Sequence, residues 1–125
     1  MGRWNSSDLD RIAETDEVRL ATAADDGTLR TPVVMWVVRH GDDLYIRSYK
    51  GAAAKWFRGT QLSPHGRLFI GQREIDVTLE LVGEVFAAEI DAAYADKYGR
   101  YGQGFIDAMV SPEVQATTLR ILPAV

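Results

Sequence analysis

Thr31-Pro32-Val33-Val34-Met35-Trp36-Val37-Val38 is a nearly continuous run of β-branched and aromatic residues, the composition of a strand buried on both faces. Pro32 has no N–H to give to a ladder, so the run must begin at a sheet edge or a bulge, where neighbouring backbone groups are free for a ligand. On its N-terminal side Val18, Leu20 and Thr22 alternate with Arg19 and Ala21 and stop at Asp25-Asp26-Gly27, a turn whose glycine tolerates positive φ. On its C-terminal side His40-Gly41-Asp42-Asp43 turns the chain again. Leu44, Ile46 and Ser48 then share one face of a third strand, with Tyr45, Arg47 and Tyr49 on the other. Arg47 is therefore expected at the end of that strand, opposite a core face.

Outward from these hairpins, Asn5-Ser6-Ser7 before Asp8-Leu9-Asp10-Arg11-Ile12 combines capping residues, first-turn carboxylates and apolar spacing, which predicts a short N-terminal helix. The alanine run 52–54 with Lys55-Trp56-Phe57-Arg58 predicts a crossover helix ending near Gly59. Leu68-Phe69-Ile70 and residues 75–82, around Gly71-Gln72, predict a further hairpin. Helices are expected at 89–98 and 105–110, a capped turn at Ser111-Pro112-Glu113, and a closing strand at 117–122. The expected fold class is mainly β with flanking helices (α+β), six antiparallel strands forming a closed or partly closed barrel in one domain, 1–125.

The 125 residues, 46% hydrophobic and 26% charged, have the mix of an ordinary globular domain. The absence of cysteine excludes disulfides, thiolate metal sites and cysteine nucleophiles, and favours a reducing, cytoplasmic setting. A net charge of −4 argues against the extended basic footprint of nucleic-acid binding. No apolar run approaches the roughly 20 residues of a membrane span.

The densest group of anion-compatible donors is Arg47, Ser48, Lys50 and Lys55, within nine positions at a strand-to-helix junction. Gly51 and the helix N-terminus near Ala52 would add backbone N–H groups and a favourable dipole. Spacing alone leaves a solvated surface junction and an anion cradle equally open. Trp56 beside Phe57 either packs under the crossover helix or stacks over a ligand. Arg30 is either solvent-facing or a ligand. The 98–102 segment, Tyr-Gly-Arg-Tyr-Gly, is either a helix connection or a loop shaping a substrate side. His40 and His65 have no metal-ligand spacing, and Glu80, Glu84, Asp91 and Asp96 mark no acid/base pair.

The chain resembles the flavin-binding split-barrel superfamily, which includes pyridoxamine 5′-phosphate oxidase and the deazaflavin-dependent nitroreductases, and within it a small family of uncharacterised domains. The resemblance rests on the combination of Asp8-Leu9-Asp10-Arg11-Ile12, Gly27-Thr28-Leu29-Arg30-Thr31-Pro32-Val33, Trp36-Val37-Val38, Asp43-Leu44-Tyr45-Ile46-Arg47-Ser48, Trp56-Phe57-Arg58-Gly59, Lys97-Tyr98-Gly99-Arg100-Tyr101 and Ser111-Pro112-Glu113. It implies that Arg47, Ser48, Lys50 and Lys55 hold a cofactor phosphate; Arg30, Gly51 and Trp56 join them as cofactor-binding candidates on the local grounds above. It also implies that Pro32, Val33, Val34, Met35 and Trp36 line the ring.

By the same resemblance, the cofactor is FMN, with the deazaflavin F420 as alternative, held in a homodimer groove and acting on a small organic substrate by hydride transfer. The chain is much shorter than pyridoxamine phosphate oxidase and lacks a counterpart of its substrate-phosphate residues, so only the cofactor half transfers. A non-catalytic barrel that stores or senses a flavin or another apolar ligand such as haem is the rival reading.

Overall fold

The computed structural model describes residues 3–124; positions 1, 2 and 125 of the expected 1–125 domain lie outside the described residues. Seven strands, β1 (Val18–Thr22), β2 (Val33–Met35), β3 (Val38–His40), β4 (Asp43–Ile46), β5 (His65–Ile70), β6 (Arg73–Leu81) and β7 (Leu119–Pro123), form one antiparallel sheet. Five α-helices flank it: α1 (Ser6–Glu14), α2 (Lys55–Leu62), α3 (Ala87–Tyr98), α4 (Gln103–Met109) and α5 (Pro112–Gln115).

The strand order is β2-β1-β5-β6-β7-β4-β3. Six strands were expected and seven are found because the 31–38 run is two strands, broken at Trp36-Val37. The halves pair at opposite ends of the sheet, β2 with β1 and β3 with β4. Three peptide steps separate Met35 from Val38, a reach of at most roughly 11 Å. The two sheet edges must therefore lie within that reach, so the sheet curls into a split barrel. Pro32 stands just before β2, an edge strand where its missing N–H breaks no ladder.

The barrel interior is aliphatic, built from residues such as Leu20, Leu44, Ile46, Leu68, Val77, Leu119 and Ile121. Leu9 and Ile12 of α1 and Trp4 join this core, and the Trp4 indole N–H donates to the Ile121 carbonyl at 2.8 Å. Asn5 caps α1 by accepting from the Asp8 N–H, and Arg73 clamps the Asp8 carboxylate with two contacts of 2.8 Å, tying α1 to β6. A second core lies outside the barrel, where Val38 and Tyr45 meet Ile90, Tyr94 and Tyr98 of α3, Ile106 and Met109 of α4, and Val114 of α5. Both faces of β4 are thus buried, each in a different core.

The crossover helix differs from expectation. Gly51–Ala53 form a 3₁₀ turn, Ala54 is extended, and α2 begins at Lys55 and runs through Gly59 to Leu62. Gly51 takes φ 77°, a conformation that an alanine there would resist, so the helix cannot start until the chain has left this turn.

Candidate functional site

A cleft of about 520 Å³ opens between the edge strand β2, the turn after β4, the start of α2 and one face of α4. Its β2 wall is Val33, Val34, Met35 and Trp36. As an edge strand, β2 has one side of its backbone outside the ladder. The rest of the lining is Ala54, Lys55 and Trp56 at the start of α2, Tyr49 and Lys50 at the turn after β4, and Phe105 and Met109, four residues apart on α4. Most of this lining is apolar, and Val34, Tyr49 and Phe105 are each at least half exposed.

Charged groups interrupt this mostly apolar lining. Lys50 and Lys55 are exposed and, among the described residues, neither is paired with a carboxylate. Lys55 is also the first residue of α2, whose N-cap, Ala54, has no side chain able to satisfy the leading N–H groups. An ammonium pair beside an uncapped helix N-terminus favours a negatively charged ligand group. Among the described residues Glu17 is the one carboxylate in the lining, and it lies one step beyond the Val18–Met35 pair of β1 and β2, level with Trp36.

Of the residues expected from sequence, Val33, Val34, Met35, Trp36, Arg47, Lys50, Lys55 and Trp56 come together here, and Arg30, Pro32, Ser48 and Gly51 do not line the cleft. Arg30 packs beside Gly59 on α2, where a Cβ would lie 3.6 Å from its Nε. Trp56 is half-buried: it packs against the barrel core, one of the two placements considered for it, and also lines the cleft.

Three donors expected to be free for a phosphate are committed elsewhere. Arg47 has no exposed side-chain surface. Its Nη1 donates to Asp91 at 2.6 Å and to the Met109 carbonyl at 2.9 Å, and its Nε donates to Thr118 Oγ1 at 2.9 Å. Period-two alternation correctly sets it opposite the barrel core, but that outer face is covered by α3, α4 and α5. Ser48 Oγ donates to the Gly51 carbonyl at 2.7 Å, and the Gly51 N–H returns to the Ser48 carbonyl at 2.9 Å. Both residues hold the turn together. The cationic groups left free to meet a ligand in the cleft accordingly reduce to Lys50, Lys55 and the α2 N-terminus.

Sequence reasoning missed Glu17, Tyr49, Ala54, Phe105 and Met109 as lining residues. Two signals were present: Tyr49 lies between Ser48 and Lys50 of the anion-donor group, and Phe105 and Met109 stand i, i+4 on one helix face. Nothing local marks Glu17. Among the described residues no group of three or more His, Asp or Glu side chains could hold a metal, and no helix is long and apolar enough to cross a membrane.

Comparison with known proteins places this architecture. The haem storage protein HutZ of Vibrio cholerae superposes with a TM-score of 0.71 at 14% identity, covering 98% of this chain and 92% of that one. A candidate pyridoxamine 5′-phosphate oxidase of Listeria innocua gives 0.66 at 16% identity, covering 95% and 92%. An F420-H2-dependent reductase gives 0.62 at 14% identity, covering 86% and 93%. At these identities the likeness shows the fold, the split barrel, as the sequence resemblance implied. No curated protein matches. One family profile, described as "Uncharacterized protein conserved in bacteria (DUF2255)", matches residues 8–121.

Proposed function

The chain belongs to the DUF2255 family, and from its cleft we propose that it binds a flavin, FMN first and F420 as alternative, and acts as an oxidoreductase on a small organic substrate. The observation that carries this reading is the union of one apolar cleft of about 520 Å³ with two lining ammonium groups, unpaired among the described residues, and an uncapped helix N-terminus. A planar apolar ring bearing a terminal phosphate matches that pattern. One phosphate monoester suits two lysines and one helix end, whereas the longer anionic tail of F420 would call for further donors.

Lys50, Lys55 and the leading N–H groups of α2 hold the phosphate in this reading. Val34, Met35, Trp36 and Trp56 cover the ring and exclude water, and the open edge of β2 offers backbone hydrogen bonds to its polar rim. The bound flavin supplies the hydride chemistry. A second copy of the chain would cover Val34, Tyr49 and Phe105, completing the groove as a homodimer.

A haem-storing barrel is the rival. No histidine lines the cleft: His40 lies against Tyr45 and Phe86, and His65 is exposed on β5. The residues present therefore do not offer imidazole ligation there. Titration of the purified protein with FMN and with F420, followed by visible absorption and melting temperature, tests the proposal. Binding followed by bleaching on addition of a nicotinamide donor is expected. Unchanged spectra and melting temperature with both would overturn the cofactor assignment, and bound flavin that no donor reduces would leave a flavin-storing or sensing role.

A further inference from the structure

The Lys97-Tyr98-Gly99-Arg100-Tyr101 segment is not absorbed by the cofactor reading, yet most of its side chains converge on the break between β2 and β3. The Tyr98 ring stacks on the Trp36 indole with centroids 4.1 Å apart and planes within 5°. Its hydroxyl accepts from the Val37 N–H at 3.0 Å and donates to the Asp16 carbonyl at 2.6 Å. Lys97 Nζ donates to the Val37 carbonyl at 2.8 Å and to the Ile12 carbonyl at 3.0 Å. Arg100 and Tyr101 both bind the Asp16 carboxylate, and Tyr101 and Phe105 stand beside the Trp36 indole with ring centroids 5.7 and 6.1 Å away, Tyr101 also lying 6.3 Å from Tyr98.

A strand break leaves peptide groups without ladder partners, and buried ones must be satisfied from elsewhere. Here both polar groups of buried Val37 are satisfied by two consecutive residues of α3, sixty positions away. The same hydroxyl reaches the residue before Glu17. One device therefore fixes Trp36, which walls the cleft, and the loop bearing its one lining carboxylate.

We propose that Lys97, Tyr98, Arg100 and Tyr101 are positioning residues that hold the strand break in its cleft-forming shape, with Trp36 as the surface they present to a planar ligand. They act on the end of the cleft remote in sequence from Lys50 and Lys55, the end where a substrate would meet the ring, and to that extent the inference rests on the cofactor reading.

The test is acrylamide quenching of tryptophan fluorescence together with FMN titration, on wild type, Tyr98→Phe, Tyr94→Phe and Arg100→Ala, with Trp36→Phe identifying the Trp36 contribution. Tyr94 is an apt control, a buried phenol beside Tyr98 whose hydroxyl has no hydrogen-bond partner among the described residues. In Tyr98→Phe, quenching of Trp36 is expected to rise at least twofold and FMN affinity to fall about tenfold, with Tyr94→Phe matching wild type. A folded Tyr98→Phe with wild-type quenching, or a Tyr94→Phe that changes as much, overturns the proposal. If Tyr98→Phe does not fold, Arg100→Ala, altered only at an exposed side chain, decides: increased quenching supports the device and wild-type quenching overturns it. Should wild type bind neither FMN nor F420, the quenching arm still stands, so the two readings fail separately.

Discussion

The Arg47 guanidinium lies 2.6 Å from the Asp91 carboxylate, and Asp91 in turn accepts from Gln115 at 2.8 Å, so the end of β4 is tied to α3 and α5 through one buried cation. Thr118 Oγ1 and the carbonyls of Met109 and Ala87 also accept from it. Removing one member of such a pair strands the other, at a cost of about 3 kcal/mol where, as here, the carboxylate retains some solvent. Arg47→Ala is expected to lower the unfolding free energy by that amount in urea titrations while changing FMN affinity less than Lys50→Ala does. A variant of native stability would show that the pair is not structural.

Lys50→Ala and Lys55→Ala should behave in the opposite way. Both side chains are exposed, so melting temperatures should stay within about 2 °C of wild type, whereas each loss of a charge-assisted phosphate contact should weaken FMN binding by roughly 1.5–3 kcal/mol. Wild-type affinity should also fall as salt is raised. Isothermal titration at two ionic strengths checks both. Salt-independent binding that survives both substitutions would move the phosphate site elsewhere.

Burial lowers the Lys97 ammonium from its ordinary 10.5 to about 8, with Asp16 pulling the other way and Arg100 adding to the depression. Below pH 8 folded and unfolded chains both carry the proton, and the cost of burying the charge is present in full. Between pH 8 and 10.5 the unfolded chain binds a proton that the folded chain has released, so this group makes stability rise with pH. Subtracting Lys97→Met from wild type removes the background of the tyrosines, whose buried phenols Tyr94 and Tyr98 are shifted upward. At 1.36 kcal/mol per unit the whole window corresponds to about 3.4 kcal/mol, and solvent screening of the partly exposed ammonium lowers the expected growth in the difference to about 2–3 kcal/mol. A flat difference would contradict it.

Two glycines should respond oppositely to alanine. At Gly66 a Cβ would sit 2.5 Å from the Ala21 carbonyl oxygen, a backbone atom that cannot yield without opening the β1–β5 ladder. Gly66→Ala is expected to destabilise by roughly 1–3 kcal/mol. At Gly59, inside α2, the nearest atoms are Arg30 Nε at 3.6 Å and Thr22 Oγ1 at 3.7 Å, both side-chain atoms at ordinary contact distance. Gly59→Ala should therefore stabilise by about 0.5–1 kcal/mol through helix propensity and the unfolded chain. Chemical denaturation of the two variants would reveal equal signs if steric access were not the deciding factor.

Wherever a feature is set by neighbours in the chain, the sequence alone determined it. Asn5 capping α1, the Asp25-Asp26-Gly27 and Gly71-Gln72 turns, the period-two faces of β4 and the grouping of Lys50 and Lys55 beside a helix start all follow from local sterics and hydrogen bonding. Tertiary structure alone decided what depends on partners far along the chain. The β-branched 31–38 run is as suitable for one strand as for two; its break at Trp36-Val37 exists because its halves pair with β1 and β4 on opposite edges of a curled sheet, and because Lys97 and Tyr98 satisfy the peptide groups left over. Likewise, alternation fixed the side of the strand from which Arg47 leaves, but only the helices folded over that side turned a candidate phosphate ligand into the buried partner of Asp91.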